Sequence, residues 1–319
     1  MPKQPLAEVF GFPIDDQSPE AIRHRADRLC PFNNLVPSCT KDKAEDPLGV
    51  CSIYEGKRPT IVCPVRFRER WRIVSDAAGF IFPAKTKWTS LTEVRLKDST
   101  GKSAGNIDVV LVAYDDQEKL TDFGSLEVHC AYVSGSLRRP FKHYVKNPAK
   151  NARMDWSDES DFPEADYSCL SQMRLARQLI CKGGIFHSWG KKMAVAIDRP
   201  FFEQLPDLPT VAKTKADVCW LVYELAKNRR TGRYELQLYR TIYTKFTSAL
   251  ERIAGANPGH PEGILIEPLT EHPVARLRGI LKRKPGERPL SEELVEHRAA
   301  ERALEEGGHG CGPGKFLFR

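Results

Sequence analysis

Three residues on two neighbouring apolar segments have side chains that could bind a divalent metal ion. Asp108 begins one apolar run, and Glu127 and His129 end the next run, SLEVH. Because side chains alternate between the two faces of a strand, Glu127 and His129 should lie on the same face. Two carboxylates can share one Mg²⁺ with waters and a phosphate oxygen. The three residues therefore have the types and the spacing that metal-dependent phosphate chemistry requires.

The roles of the neighbouring side chains stay open at this point. A neutral His129 could orient an attacking water, and a protonated His129 could face the phosphate. Glu93, in the amphipathic segment KWTSLTEVRL, could supply a further carboxylate. The alternative interpretation places Asp108 and Glu127 at strand ends facing water and makes His129 a hydrogen-bonded core histidine. Short acidic motifs of this kind are weak signals by themselves.

Four cysteines form a second group with possible metal chemistry. Cys30, Cys39, Cys51 and Cys63 are separated by eight, eleven and eleven residues in a segment rich in Pro, Asn, Gly and Asp. Four thiolates can satisfy a tetrahedral site for Zn²⁺ or for a single Fe. Such a metal would supply folding free energy that a turn-rich segment lacks. The alternative is four unlinked buried thiols, and the absence of CxxC pairs excludes a common zinc-finger signature.

Composition limits the class of protein. The chain has 319 residues and a formal charge of +7, which favours a polyanionic partner such as a nucleic acid, although mildly basic proteins without such a partner are common. No apolar run approaches the ~20 residues needed to cross a bilayer, and MPKQPLAEVFGFP lacks the pattern of a secretory signal. We therefore expect a cytoplasmic protein without a membrane partner, in which cysteines stay reduced. Reduced cysteines favour metal ligands or buried thiols over disulfides.

The elements that must position these residues can be predicted from local patterns. The acidic residues should lie on two paired strands joined by the polar segment DDQEKLTDFG. SCLSQMRLARQLICKGG predicts a helix that ends at its glycines, and MAVAID predicts a short buried strand. DVCWLVYEL and YELQLYRTIYTKF predict a strand pair across the turn NRRTGR, and LSEELVEHRAAERALEEGG predicts a charged C-terminal helix.

In combination, the cysteine segment and the acidic strands resemble a known enzyme family. The order of LCPF, CTKDK, DPLGVCS, NIDVVL and SLEVH is similar to that in NotI-like type II restriction endonucleases, over about residues 8 to 200. The resemblance implies an α/β fold with a PD-(D/E)xK endonuclease core, a mixed sheet flanked by helices. It also implies a small N-terminal four-cysteine module at residues 1–65. Residues 66–319 would form the endonuclease domain with a C-terminal helical extension.

The resemblance also implies roles for individual residues. Asp108 and Glu127 would bind Mg²⁺, Glu93 would match an upstream acidic position, and His129 would occupy the final motif position. That position is normally lysine in the superfamily, and NotI itself resembles a variant with glutamine there. The histidine of this chain departs from both. The cysteines would hold a structural Fe, or alternatively Zn: Cys30, Cys39, Cys51 and Cys63.

As a type II enzyme, the chain would bind double-stranded DNA, hydrolyse its phosphodiester bonds at a GC-rich palindromic site and leave 5′-phosphate ends. A palindromic target implies a homodimer, and we expect a cognate methyltransferase in the same host. The segment SLRRPFKHYVKNPAKN is predicted as a basic loop next to the catalytic strand, and Lys85 and Lys87 form a second basic cluster. Either cluster could instead be an ordinary solvated surface. The predicted DNA-binding residues are Arg138, Arg139, Lys142 and Lys87, with Lys146 beside them.

Other classes of protein share part of this pattern. The main alternative is a non-catalytic DNA-binding protein with a four-cysteine metal site, in which Asp108 and Glu127 would be dispensable. An iron redox protein would use the cysteines for electron transfer, but such a site does not require the acidic strands. A repair or recombination nuclease would share the strands and differ in substrate. Mg²⁺-dependent cutting of plasmid DNA into discrete bands would distinguish the restriction enzyme from all three.

Overall fold

The N-terminal segment forms a small antiparallel sheet and one helix. The computed structural model describes residues 4–33, 36–43, 45–97 and 103–255, without the side chains of 97, 103–105, 169 and 170. The strands are too short to show a periodic pattern, so this sheet was not predicted. Helix α1 begins after Ser18, whose side chain accepts the amide of Ala21. The elements are β1 (Leu6–Val9), β2 (Phe12–Pro13), α1 (Pro19–Ala26), β3 (Val50–Glu55) and β4 (Arg58–Ile61), in the strand order β2-β1-β3-β4.

A six-stranded mixed sheet carries the two acidic residues. The middle strand β10 is parallel to both of its neighbours, and the remaining pairs are antiparallel. The structure confirms the predicted pair that carries Asp108 and Glu127, the strand MAVAID, and the pair across NRRTGR. The strands are β5 (Lys87–Lys97), β6 (Ser103–Tyr114), β7 (Leu120–His129), β10 (Met193–Asp198), β11 (Val218–Lys227) and β12 (Tyr234–Thr244), in the order β12-β11-β10-β7-β6-β5.

One face of the large sheet is covered by helix α2. A 3₁₀ helix over Pro64–Trp71 leads into α2 (Arg72–Ile81), with a kink at Glu69 and Arg70, whose backbone angles are not helical. Residues Ile73, Ala77 and Ile81 of α2 are buried against alternate residues of the strands. This face is a continuous apolar core, because every second residue of each strand points toward the helix.

The segment predicted as a basic loop is instead mostly helical. Strand β8 (Tyr132–Ser134) leads into α3 (Arg138–Lys146) and α4 (Pro148–Asn151), and β9 (Glu164–Asp166) returns to pair with β8. Helix α3 is amphipathic, with Phe141 and Tyr144 buried among residues of the small sheet. The apolar residues recur at helical spacing, which the density of basic residues obscured in the sequence.

The opposite face of the large sheet is covered by several helices. They are α5 (Cys169–Gln178), a π-helical turn (Leu179–Gly183), α6 (Gly184–Ser188), α7 (Arg199–Glu203) and α8 (Phe246–Gly255). Their apolar residues pack on Val195, Trp220 and Val222 of the strands. The protein is therefore a mixed α/β structure in which a mixed sheet has helices on both faces.

The predicted end of the helix in SCLSQMRLARQLICKGG, at Gly183 and Gly184, is wrong. The chain stays helical through Gly183 and Gly184 to Ser188, and Gly183 has right-handed helical angles. A side chain at Gly183 would place its Cβ 2.7 Å from the ring of Phe246. This glycine therefore permits close packing, whereas the sequence pattern suggested a helix end.

All of the described residues belong to one compact unit. The predicted boundary at residue 65 separates the small sheet from the large sheet and stays a prediction. The predicted C-terminal helix, residues 290–308, lies outside the described residues. Among the described residues, every helix is too short or too polar to cross a membrane.

Candidate active site

Asp108 and Glu127 come together where strands β6 and β7 stop pairing. The regular register between these strands includes Val109 opposite Leu126. At the next position the Oδ2 atom of Asp108 accepts the amide of Val128 at 2.8 Å. Glu127 lies beside Val195 of β10, whose side chain packs on the face covered by α5. The strands therefore hold the two carboxylates next to each other on the α5 face.

The Glu127 carboxyl is buried, whereas Asp108 reaches solvent. The side chain of Glu127 is 4% exposed and that of Asp108 is 41% exposed. Burial, followed by the nearby Asp108 carboxylate, raises the pKa of Glu127 to about 8, although Lys182 opposes this shift. The Oε1 atom of Glu127 has no hydrogen-bond partner among the described residues. The two adjacent carboxyl groups, with one buried oxygen unpaired, therefore have the donor atoms to hold a hard cation.

Lys182 is the residue of this site that the sequence interpretation missed. Its Nζ atom donates to Oε2 of Glu127 and lies 4.0 Å from Oδ1 of Asp108. Lys182 belongs to the π-helical turn, 55 positions from Glu127 in the chain. Lysines are common near the C-terminal ends of helices, because a positive charge there interacts favourably with the helix dipole. No local signal therefore distinguished Lys182 from any other terminal lysine.

His129 lies on the same strand as Glu127 but in aromatic surroundings. Its ring centroid is 4.6 Å from that of Phe201 and 5.7 Å from that of Tyr132. Gln178 hydrogen-bonds the ring, yet burial lowers the pKa of His129 to about 4. The Nε2 atom has no partner among the described residues. The imidazole is therefore neutral near pH 7 and contributes to packing between β7 and α7.

We expect His129 to reduce the stability of the protein in acid. The pKa of His129 is lower in the folded protein than the ordinary value near 6.5, so the unfolded chain binds more protons between these values. Stability should therefore fall as the pH drops from 6.5 toward 4. In His129→Gln this loss should be smaller by roughly 1–3 kcal/mol, since an amide does not titrate. Urea unfolding at several pH values measures the effect.

The control for this experiment is the exposed residue His143, which lies on α3. His143→Gln should leave the acid-induced loss of stability as it is in the wild type. An identical pH dependence in His129→Gln and the wild type would show that His129 does not cause the loss.

Glu93 has a different partner from the other acidic residues. It lies on β5, where its side chain is 54% exposed and pairs with Arg68 at 3.3 Å. Its φ of 56° is in the left-handed region, and the paired register passes from Thr92 to Val94 around it. Glu93 therefore forms an ion pair with Arg68. Asp108 and Glu127 instead share the ammonium group of Lys182.

The four cysteines of the N-terminal segment line a single small cavity. An isolated β-bridge between Leu29 and Ser38 brings Cys30 near Cys39. The β3–β4 hairpin positions the other two cysteines. The amide of Val62 donates to the carbonyl of Cys51, which holds Cys63, the next residue after Val62, near Cys51. The cavity is about 10 Å³ and is otherwise lined mainly by apolar residues. Two separate segments therefore bring all four cysteines to the lining of one cavity.

The cysteine cluster has the donor chemistry for a soft metal ion. Burial raises the pKa of Cys39 to about 12 and also raises that of Cys51 well above its ordinary value, and the neighbouring cysteines add to both shifts. A bound cation would reverse this shift by stabilising thiolates. Among the described residues, no three His, Cys, Asp or Glu side chains are close enough to form a ready-made metal site. The donor set fits such an ion, and the ligand assignment stays a prediction.

Most of the predicted DNA-binding residues have acidic partners. Arg138 pairs with Asp42 and Asp46, and Arg139 pairs with Glu159 and Asp161. Lys87 is 2.5 Å from Asp116, at the exposed start of β5. Lys142 is exposed on α3 and has no ion pair among the described residues. Lys146 on the same helix is also exposed without such a pair, so these two lysines are the most available cations of the predicted basic segment.

Comparison with known proteins gives one family. The family model for the restriction endonuclease NotI matches residues 8–236, which is more than half of the chain. The match includes the cysteine cluster, both acidic strands and Lys182. Comparison with curated proteins found no significant match.

Proposed function

The chain belongs to the NotI restriction endonuclease family and is a type II site-specific endonuclease, and we propose that its hydrolysis of DNA depends on Mg²⁺ held by Asp108 and Glu127. The observation that carries this proposal is the pair of adjacent carboxylates with the unpaired, buried Oε1 atom of Glu127. Mg²⁺ typically binds one or two carboxylates and completes its shell with waters and phosphate oxygens. The small number of protein ligands at this site suits that ion.

The two carboxylates have different roles in the proposed metal site. Bound Mg²⁺ would supply a Lewis acid for the phosphate and lower the pKa of a water. Glu127 is fixed by burial on an interior strand, so it sets the position of the ion. Asp108 is more exposed and is fixed by the amide of Val128, so it faces the side from which DNA can approach. Cleavage leaves 5′-phosphate ends in this proposal, as the family resemblance implies.

The proposed fold is the PD-(D/E)xK endonuclease core. Support comes from a mixed sheet in which neighbouring antiparallel strands β6 and β7 carry the acidic residues. Helices cover both faces of that sheet. A rigid sheet suits a catalytic site because it holds both carboxylates without relying on mobile loops.

The proposed substrate is a GC-rich palindromic site bound by a homodimer. A twofold dimer would place one active site on each DNA strand, and guanines are commonly bound by arginine side chains. Among the predicted contacts, exposed Lys142 is the best phosphate ligand, since Arg138 and Arg139 have acidic partners. A cognate methyltransferase would protect the same sequence in the host.

The four-cysteine module has a structural role in this proposal. Its four cysteines line a cavity of about 10 Å³, and their thiol donors differ from the carboxylates of the candidate active site. Thiolates favour soft ions, whereas carboxylates and water favour Mg²⁺. The proposed occupant is Fe, with Zn as the alternative. Family membership makes the chain an enzyme, in place of the non-catalytic DNA-binding protein and the iron redox protein.

Cleavage of plasmid DNA tests the proposed function directly. With Mg²⁺, purified protein should produce discrete bands, because a type II enzyme cuts at fixed sites. Chelation with EDTA should stop cleavage, and added Mg²⁺ should restore it. Sequencing of the ends gives the cleavage site and shows whether the phosphate is at the 5′ end. A smear would indicate a nonspecific nuclease, and cleavage that persists in EDTA would contradict the Mg²⁺ dependence.

A further inference from the structure

The ammonium group of Lys182 lies where a reacting phosphate would meet the two carboxylates. Its Nζ atom contacts Glu127 and is 4.0 Å from Asp108, and its side chain is 15% exposed. We propose that Lys182 is a catalytic residue that donates a hydrogen bond to the scissile phosphate. This inference rests on the proposed function, because it takes Asp108 and Glu127 as the metal ligands.

The partial exposure of Lys182 is the first argument for this role. Glu127 is almost fully buried, so a large substrate cannot approach that carboxylate from every side. The exposed carboxylate of Asp108 marks the open side of the site, and Lys182 is near it. A four-carbon side chain with three donors can keep one carboxylate contact and turn another donor to a phosphate oxygen.

The helix that carries Lys182 has an unusual geometry at this point. The amide of Gly184 donates to the carbonyl of Leu179, five residues earlier. This inserts one residue into the turn and changes the direction of the side chains relative to a regular helix. Gly183 lies so close to Phe246 and Met193 that a Cβ atom would meet the ring at 2.7 Å. The turn is therefore packed tightly against its neighbours, which fixes the base of the Lys182 side chain.

His129 does not provide the same function. Its buried ring packs on Phe201 and Tyr132, so these aromatic neighbours occupy the space beside it. The ring is therefore placed for packing, whereas the Lys182 side chain reaches the carboxylate pair. Within the described part of the site, Lys182 is the cation that contacts both strands of the carboxylate pair.

The reaction requires such a cation because negative charge increases at the phosphate oxygens. The water oxygen forms a bond to phosphorus while the bond from phosphorus to the 3′ oxygen breaks. The attacking water releases a proton to solvent, and the 3′ oxygen takes one up, so no other reactant is needed. Lys182 takes no part in these proton transfers and stabilises the charge on a non-bridging oxygen by donating a hydrogen bond to it. Removal of one such donor commonly lowers a rate by about 10²–10³-fold.

The test is single-turnover cleavage by Lys182→Met and Lys182→Arg across a range of Mg²⁺ concentrations. At saturating Mg²⁺ and excess enzyme, Lys182→Met should cleave about 10²–10³-fold more slowly than the wild type. Its affinity for cognate DNA, measured in Ca²⁺ without cleavage, should change less than about fivefold, because the lost contact matters most in the transition state. Lys182→Arg should recover part of the rate, since it keeps the charge and the donors.

Lys191, which lies just before strand β10, offers a matched control. Its Nζ atom is 2.7 Å from Asp122, which lies on β7 like Glu127. Lys191→Met therefore also removes a lysine from a carboxylate of β7, and it should cleave within about threefold of the wild type, since it lies outside the site. If Lys182→Met does not fold, as judged by circular dichroism, Lys182→Gln replaces it. An equal loss of rate in the Lys182 and Lys191 variants would contradict the proposal.

Two further outcomes would overturn the inference. If Lys182→Met cleaves at the wild-type rate and needs less Mg²⁺, Lys182 only occupies the metal position in the free enzyme. If the lower rate comes entirely from lost DNA affinity, Lys182 is a binding residue. A wild-type protein that does not cleave with Mg²⁺ would instead refute the proposed function. Cleavage by the wild-type protein therefore distinguishes a failure of the Lys182 proposal from a failure of the proposed function.

Discussion

Replacement of Asp108 by Asn, or of Glu127 by Gln, is expected to lower single-turnover cleavage by roughly 10³-fold or more, because each removes a ligand charge that localises the proposed Mg²⁺. The amides have nearly the same shape as the acids. This matters because Glu127 is buried, and truncation to Ala would add a cavity to the loss of charge. Rapid-quench cleavage of a cognate duplex at saturating Mg²⁺ measures the effect.

The same variants should keep their fold and much of their DNA affinity. Asp122→Asn is the matched control, since Asp122 also lies on β7 and pairs with a lysine, Lys191. It should cleave nearly as fast as the wild type. Near wild-type cleavage by Asp108→Asn or by Glu127→Gln would remove that residue from the catalytic assignment. A comparable loss in Asp122→Asn would indicate a general effect on strand β7.

Replacement of Cys51 by Ser is expected to release the N-terminal metal and to destabilise the protein severely. Cys51 is buried beside the cavity that all four cysteines line. Structural metal sites of this type contribute on the order of 10 kcal/mol, comparable to the whole stability of a typical domain. We expect about one Fe or Zn per wild-type chain, and little metal with a lowered melting temperature in the variant. Elemental analysis and thermal unfolding measure the two effects.

Cys181→Ser is the control for the metal-site prediction, because Cys181 is exposed and lies in the π-helical turn. It should retain both the metal and the wild-type melting temperature. Undenatured wild-type protein without metal, and with four titratable thiols in the N-terminal segment, would contradict the prediction. A visible absorption band that bleaches on reduction would identify iron, whereas a colourless protein with bound metal would identify zinc.

The sequence by itself determined the strands that carry the acidic residues and the enzyme family. Alternation of apolar residues is a local property, so β6, β7 and the β11–β12 pair could be predicted from short segments. The position of Asp108 and Glu127 on the neighbouring strands followed from the same patterns. The order of cysteine and acidic motifs also indicated the family that matches residues 8–236.

Tertiary structure decided which charged groups meet, because contacts between distant segments leave no periodic signal in the chain. Lys182 contacts Glu127, which is 55 positions earlier in the chain. It lies in a π-helical turn that the residue pattern did not predict. Arg138 pairs with Asp46 and Asp42, which lie 92 and 96 positions earlier in the chain. These ion pairs make Arg138 less available to DNA. The alternation that put His129 on the face of Glu127 could not show that Phe201 covers its ring. Burial and charge pairing depend on the packing of whole elements, and these set the chemistry of the site.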